Sequence, residues 1–385
     1  MNRRDFLSAI GAAGVTAIVP SRALAASGAD YSNLLILVEL KGGNDGLNTV
    51  VPYSASEYYS LRPRLAIPRE QVLQLDARTG LHPSLQPLMP LWENRELAVV
   101  QGLGYPQANL SHFRSIEIWE TAANSSEYLI DGWLARAFAQ APPPRAYAAD
   151  GIVVGGAGMG PMAGAGTRAI ALANPEQFLR QARLAAPGGQ KRSGALHHIL
   201  KVESDIVQAA SNMAGDYVFQ TEFPQTAFGN AIRTAAQVVA THARVAAIKV
   251  ALNGFDTHSA QQATHARLLK DLADGLAALK SALAETGRWG STLIMTYAEF
   301  GRRPRENQSG GTDHGTASAH LVMGGKVKGG LYGGAPALAR LDANGNLAHA
   351  VDFRELYATV LERWWSGDSA AALRGRYLPL DLIRA

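Results

Sequence analysis

The chain first becomes continuously apolar at Leu34 to Leu40, Leu-Leu-Ile-Leu-Val-Glu-Leu, and that run stops at Lys41-Gly42-Gly43. An apolar run without alternation is the pattern of a strand covered on both faces. Similar runs end at Gln101, Val154, Leu252, Tyr297 and Met323. Between several of them the period becomes helical, most clearly from Gln261 to Glu285, where Leu268, Leu269, Leu272, Leu276, Leu279 and Leu283 recur at three- and four-residue steps. Buried strands alternating with helices predict an α/β layered fold with a mainly parallel central sheet. Ligands of such sheets gather beyond the carboxyl ends of the strands. Asp45, Asp256, Glu299 and His314 all follow candidate strands.

Three stretches break the pattern and read as loops: Ala141-Pro142-Pro143-Pro144, the glycine-rich Gly155 to Gly166, and Pro187 to Arg192. The second lacks a complete Gly-x-Gly-x-x-Gly and any Gly-Lys-Ser/Thr, so it reads as a surface loop rather than a nucleotide cradle. A length of 385 residues permits a large core, and one elaborated domain over 26–385 is the expectation. With 47% hydrophobic and 18% charged residues, neither a disordered nor a fibrous chain is indicated. The absence of cysteine excludes disulfides, thiolate ligands and a cysteine nucleophile. Any metal must then be held by nitrogen and oxygen.

The amino terminus reads as a targeting segment. Arg3-Arg4-Asp5-Phe6-Leu7 precedes a mildly apolar run from Ser8 to Val19, too short to span a bilayer, and Ala23-Leu24-Ala25 offers the small-x-small pattern of a signal-peptidase site. The paired arginines resemble a twin-arginine signal. This predicts a partner in the twin-arginine export machinery, cleavage after Ala25, and a periplasmic or secreted product with no stable membrane span. Removing Arg3, Arg4, Arg22 and Asp5 lowers the formal net charge from +4 to +2 and leaves no basic stripe, so no nucleic-acid partner is expected.

The candidate chemistry centres on Gly311-Thr312-Asp313-His314-Gly315, a carboxylate beside an imidazole in a glycine-flanked turn. In a regular strand Asp313 and His314 would point to opposite faces, so only a turn lets them meet one ion, and the flanking glycines supply freedom for it. Asp256 and His258 are two apart and share a face in extended backbone. Asp45, in Gly-Asn-Asp-Gly, suits either a ligand or a turn former, and His320, beside an apolar run, either a ligand or a core histidine. Such a set matches two divalent ions, zinc or manganese before iron or magnesium, rather than calcium, which prefers oxygen alone. Two cations a few ångströms apart would stabilise the attacking and leaving oxygens of a displacement at phosphorus. Ser111 falls where a helix starts, as an N-cap, a nucleophile or both. His112 and Arg114 are nearby candidates for proton transfer and oxyanion contact, and Arg302 or Arg303, in Glu-Phe-Gly-Arg-Arg, could clamp an anion or sit in a solvated basic loop.

Gly-Gly-Asn-Asp-Gly-Leu-Asn at 42–48, Ser-His-Phe at 111–113, Asn-Gly-Phe-Asp-Thr-His at 253–258, Glu-Phe-Gly-Arg at 299–302, and Gly-Thr-Asp-His-Gly at 311–315 followed by His-Leu-Val-Met-Gly-Gly resemble the exported bacterial proteins called domain of unknown function 1501. The wider kinship is with the alkaline phosphatase and sulfatase superfamily, which implies an α/β/α sandwich and two metal sites flanking a nucleophile. Carried over residue by residue, it implies Asp45, Asp313, His314 and Ser111 around one ion, and Asp256, His258 and His320 around the other. The superfamily usually spaces its second Asp and His by three residues, where this chain has one. It also lacks the Cys/Ser-x-Pro-x-Arg that sulfatases modify, which disfavours ordinary sulfatase chemistry. The resemblance thus implies an exported metal-dependent hydrolase of phosphate mono- or diesters acting on a small phosphorylated or otherwise anionic ester. The alternative is a non-catalytic cell-envelope binding or assembly protein that keeps the fold and one structural ion.

Overall fold

The computed structural model describes residues 29–156, 158–172, 217–241 and 244–384. The expected signal segment 1–25 and the loop expected at 187–192 lie outside them. Among the described residues twelve strands are formed in chain order: β1 Leu34–Lys41, β2 Val50–Val51, β3 Leu73–Gln74, β4 Gly80–Leu81, β5 Leu97–Gly104, β6 Gly151–Val154, β7 Ala169–Leu172, β8 Ala247–Asn253, β9 Thr292–Tyr297, β10 Ser318–Met323, β11 Gly330–Gly333 and β12 Val351–Asp352. Nine of them build one sheet in the order β11-β5-β10-β9-β1-β8-β6-β7, with β12 pairing β5, while β2, β4 and β3 form a small separate sheet. Pairings in the large sheet are parallel except those of β10, which runs antiparallel between β5 and β9. The mainly parallel α/β architecture is therefore as the hydrophobic pattern predicts.

Helices cover both faces, and β1 shows how the sequence specifies this. Leu34, Ile36, Val38 and Leu40 enter a core that includes side chains of the helices Ala227–Ala240 and Gln261–Glu285. Leu35 and Leu37 enter a second core with side chains of the helices His112–Thr121, Trp133–Gln140 and Phe353–Ala358. Successive side chains of a strand alternate between faces, so a strand sandwiched by two helical layers must be apolar throughout. The one charged member of the run, Glu39, is buried and paired at 2.9 Å with Lys249 of β8, whose ammonium also meets Glu120 at 2.7 Å.

The antiparallel course of β10 decides which loops can meet. Strands β1, β5, β8 and β9 end at one edge of the sheet, and β10 begins there. The loop before β10 therefore joins the loops after β1, β8 and β9.

Among the described residues three histidines sit in the protein interior. Burial holds His82 and His265 down at about 4 and His320 at about 3, against an ordinary value of 6.5. The unfolded chain therefore binds more protons than the folded one below pH 6.5, so this contribution to stability is whole above that value and fades as pH falls toward the folded values. Each histidine removes up to about 1.4 kcal/mol per pH unit in that window. Urea midpoints should fall steadily from pH 6.5 to pH 5, before most carboxylates titrate. A flat midpoint across that interval would refute the buried neutral state.

Candidate metal centre

The β10 edge gathers four imidazole and carboxylate side chains from three segments. Asp256 and His258 follow β8, His314 precedes β10, and His112 opens the helix His112–Thr121. The Asp256 carboxylate is the hub. One oxygen lies 3.1 Å from Nε2 of His258 and 3.2 Å from Nε2 of His314, and the other lies 3.4 Å from Nε2 of His112. Donor atoms of His112, Asp256 and His314 all lie within 4.8 Å of one another, the geometry expected of a shared cation. Nε2 of His258 is 2.9 Å from Nε2 of His314 and adds a fourth donor at the same place.

The placement of ring protons suits a cation. Nδ1 of His314 faces the Leu110 carbonyl at 2.8 Å, so it carries the hydrogen and leaves Nε2 as a bare lone pair. Nδ1 of His112 faces the Glu299 carboxylate at 2.8 Å, so in the neutral ring the hydrogen sits on Nδ1 and Nε2 is the lone pair. Two lone pairs therefore point at the two oxygens of an ionised carboxylate. Acceptor facing acceptor is repulsive unless a cation lies between them, and a carboxylate or carbonyl fixing the far nitrogen is the usual support of a metal-bound imidazole. Partial burial opposes charge on Asp256, but the hydrogen bond and charge of Arg302 outweigh it and hold the carboxyl at about 2. Burial first of all also lowers His314, against the bonds that would raise it. Both groups are thus in the state that binds metal.

The sequence makes Arg302 a candidate anion clamp, and the structure gives it a different place. Its side chain is fully buried. Nε donates to the Gly43 carbonyl at 2.7 Å and Nη1 to Thr312 at 2.9 Å, while Nη2 meets Gly42, Phe255 at 3.1 Å and Asp256 at 2.6 Å. No fork is left over for a ligand. The glycines of the Asp-His turn also act otherwise than expected: neither Gly311 nor Gly315 has positive φ. A Cβ on Gly311 would lie 2.3 Å from the His258 backbone, and one on Gly315 would lie 2.5 Å from that of Arg302. They are small because two loops touch there.

Two expected ligands are kept out of the cluster. Asp45 is buried, caps the helix Gly46–Thr49 through the Leu47 and Asn48 N–H groups, and pairs at 2.6 Å with the equally buried Arg62. Burial opposes its charge, but Arg62 outweighs that and keeps the carboxyl low. Gln261 binds the same oxygen as Arg62, so Asp45 has no lone pair directed at the hub. His320 is buried within β10, its ring 5.6 Å from that of Trp119, with Nδ1 3.4 Å from Thr296 Oγ1 and no partner for Nε2. It is the core histidine of the two readings. Asp313 is exposed and reaches the cluster only at its rim, 3.3 Å from Nδ1 of His258 and 3.1 Å from Asn307. The division of ligands between two ions is therefore not the one expected, because His112, His258, Asp256 and His314 meet at one place.

Ser111 holds the N-cap position of the helix His112–Thr121 but makes no side-chain cap bond. Its hydroxyl is exposed, between Leu110 and His112, both of which touch the cluster. Arg114 is folded back onto the carbonyls of Asn124, Ser125 and Glu127, away from an oxyanion role.

Residues 73–374 match the family described as protein of unknown function DUF1501. The chain belongs to that family. No curated protein matches this DUF1501 chain. Among solved structures it is similar to the C-terminal periplasmic domain of EcEptC from Escherichia coli in complex with Zn, at 12% identity over 76% of this chain and 72% of that one, TM-score 0.37. A protein in the alkaline phosphatase superfamily from Vibrio parahaemolyticus is similar at 11% identity over 89% and 69%, TM-score 0.41. The lipoteichoic acid synthase LtaP from Listeria monocytogenes is similar at 10% identity over 78% and 71%, TM-score 0.34. Overlap this low leaves the fold reading to the sheet itself.

Sequence reasoning places Glu299 after a strand of this DUF1501 protein without giving it a task. The structure shows a buried carboxylate that accepts the Gly42 N–H and fixes the His112 tautomer. Its position at a strand end in Glu-Phe-Gly-Arg is the available signal. Glu299→Gln should weaken the uptake of an added divalent ion such as zinc by about 10- to 100-fold while leaving the fold intact. Asp45→Asn should instead cost about 3–5 kcal/mol of stability, by stranding a buried guanidinium, with zinc binding retained by the folded fraction. Equilibrium dialysis beside urea unfolding separates the two, and the opposite pattern would reverse the assignments.

Proposed function

We propose that this protein is an exported metal-dependent hydrolase of phosphate mono- or diesters. The observation that carries the reading is the convergence of imidazole nitrogens of His112 and His314 on the ionised Asp256, with the exposed Ser111 next to His112 in the chain and its hydroxyl unused as a cap. Divalent ions, zinc or manganese before iron or magnesium, would polarise a phosphoryl oxygen there. His112, Asp256, His258 and His314 would hold one, and Asp313 at the rim is the carboxylate left for a second. Ser111 stands at the amino end of a ten-residue helix, where the first free N–H groups favour an anion. Attack by its oxygen on phosphorus would form a seryl phosphate and release the alcohol. Water would then cleave that ester, returning the hydroxyl and releasing inorganic phosphate from a monoester or a phosphate monoester from a diester. Glu299 and the Leu110 carbonyl hold the His112 and His314 rings while this happens.

Export rests on the amino-terminal pattern alone, and among the described residues no helix is long and apolar enough to cross a membrane. The alternative of a cell-envelope binding protein draws on one observation: Arg302, the cationic clamp expected from sequence, is fully committed to backbone carbonyls and Asp256.

The test is elemental analysis of protein purified without chelators, followed by turnover of p-nitrophenyl phosphate and its diester. Bound zinc or manganese with turnover that falls at least about 100-fold in Ser111→Ala is expected, since a nucleophile acts only in the transition state. Metal bound without turnover of either ester would favour the binding protein. Turnover unchanged in Ser111→Ala would remove the serine from the mechanism.

A further inference from the structure

At the opposite edge of the sheet, where β1, β8 and β9 begin, lies a cavity of about 220 Å³. It is smaller than the roughly 300–1,000 Å³ of drug-sized pockets, which suits a small ligand. Leu34, Tyr147 and Val245 contribute apolar wall, and Arg244 and Arg288 both line it. Among the described residues lining it there is no carboxylate beside the two guanidiniums. Arg288 gives one bond, at 3.2 Å, to the Ser32 carbonyl. The Arg244 side chain has no hydrogen-bond or ion-pair partner among the described residues. Asp150 is paired with Arg168 at 2.6 Å, and Asp30 accepts from Ser32 and Asn33 rather than from either guanidinium. Burial first, and then the charge of Arg244, lowers Arg288, so the two cations feel each other. Arg288 is half-buried and Arg244 exposed at the cavity mouth, so two like charges meet at one opening where a bound anion would relieve their repulsion, and two planar forks match the oxygens of a tetrahedral anion.

We propose that this cavity is a phosphate-binding site separate from the metal centre, with Arg244 and Arg288 as its ligands. The eight residues of β1 set the two sites apart, on the order of 25 Å at the rise of a strand. The site does not depend on the hydrolase reading.

Calorimetric titration with inorganic phosphate at low ionic strength tests it, using His314→Ala protein in the presence of a chelator so that the metal centre contributes nothing. One phosphate per chain is expected, weakened about tenfold or more in Arg288→Gln and in Arg244→Gln. A further tenfold loss should follow on raising salt, as for any site built from charge. Arg288→Lys, which keeps the charge but loses the fork, should fall between wild type and Arg288→Gln, and it serves if the glutamine variant unfolds. Absence of phosphate binding, or binding unaltered by all three substitutions, would overturn the proposal.

Discussion

The buried guanidinium of Arg302 is the constraint on which the rest of the site depends. Removing an arginine from water is costly unless its donors are met, and the carbonyls that meet them belong to three different segments: Gly42 and Gly43 after β1, Phe255 after β8, and Thr312 before β10. Each loop satisfies the same cation, so none can shift without leaving a buried donor unpaired. The remaining bond goes to Asp256, which fixes the carboxylate that the imidazoles face. A lysine could not do this, having three donors at one point where five are spread over a plane. The residue that looks from sequence like an anion clamp acts on the backbone instead, and thereby sets the centre.

A second buried network lies alongside and engages the Asp45 carboxylate with protein donors. Arg62 binds Asp45 and Asn48 and also the carbonyls of Arg303 and Pro304, while Gln261 links Asp45 to Thr257 and Thr312. The carboxylate thus joins the segment after β1 to the Thr312 loop from the inside. In sequence, Asp45 and Asp313 are both ligand candidates near glycines beside strands, Asp45 with a turn former as its alternative. Burial separates them: Asp45 is saturated with protein donors in the interior, whereas Asp313 stands exposed at the rim.

Periodicity encodes burial and element type, and those are the properties legible in the chain. The unbroken apolar run of β1 and the leucine spacing of Gln261–Glu285 state them directly, and both elements occur where the pattern puts them. Strand direction leaves no such trace, because an apolar run reads alike either way. The antiparallel course of β10 is therefore invisible in sequence, and it decides the fate of two histidines six residues apart. His314, before the strand, stands at the ligand edge, while His320, inside it, is carried into the sheet beneath Trp119. The roles of His112 and Glu299 are hidden for a related reason. One is at a helix start and the other after β9, 187 positions apart, and only the tertiary fold makes them a pair.

The two edges of the sheet carry opposite chemistry, and neither needs a ligand to establish it. At the edge where β1, β8 and β9 end, Glu299 and the Leu110 carbonyl dictate which ring nitrogens keep their hydrogens. The inward-facing atoms of His112, His314 and Asp256 are then all electron pairs, and they would sit together in water only at a cost. Rigid anchoring of Asp256 by Arg302 stops the loops from relaxing that repulsion by moving apart. A cation would enter a place already shaped for it, and the strain of assembling the donors has been met during folding by the buried arginine. At the other edge the excess is positive, with Arg244 and Arg288 on one cavity and no carboxylate among the described residues lining it. The same sheet that converges lone pairs at its carboxyl end thus presents guanidiniums at its amino end. This polarity comes from side chains, since strand dipoles nearly cancel and contribute little of their own.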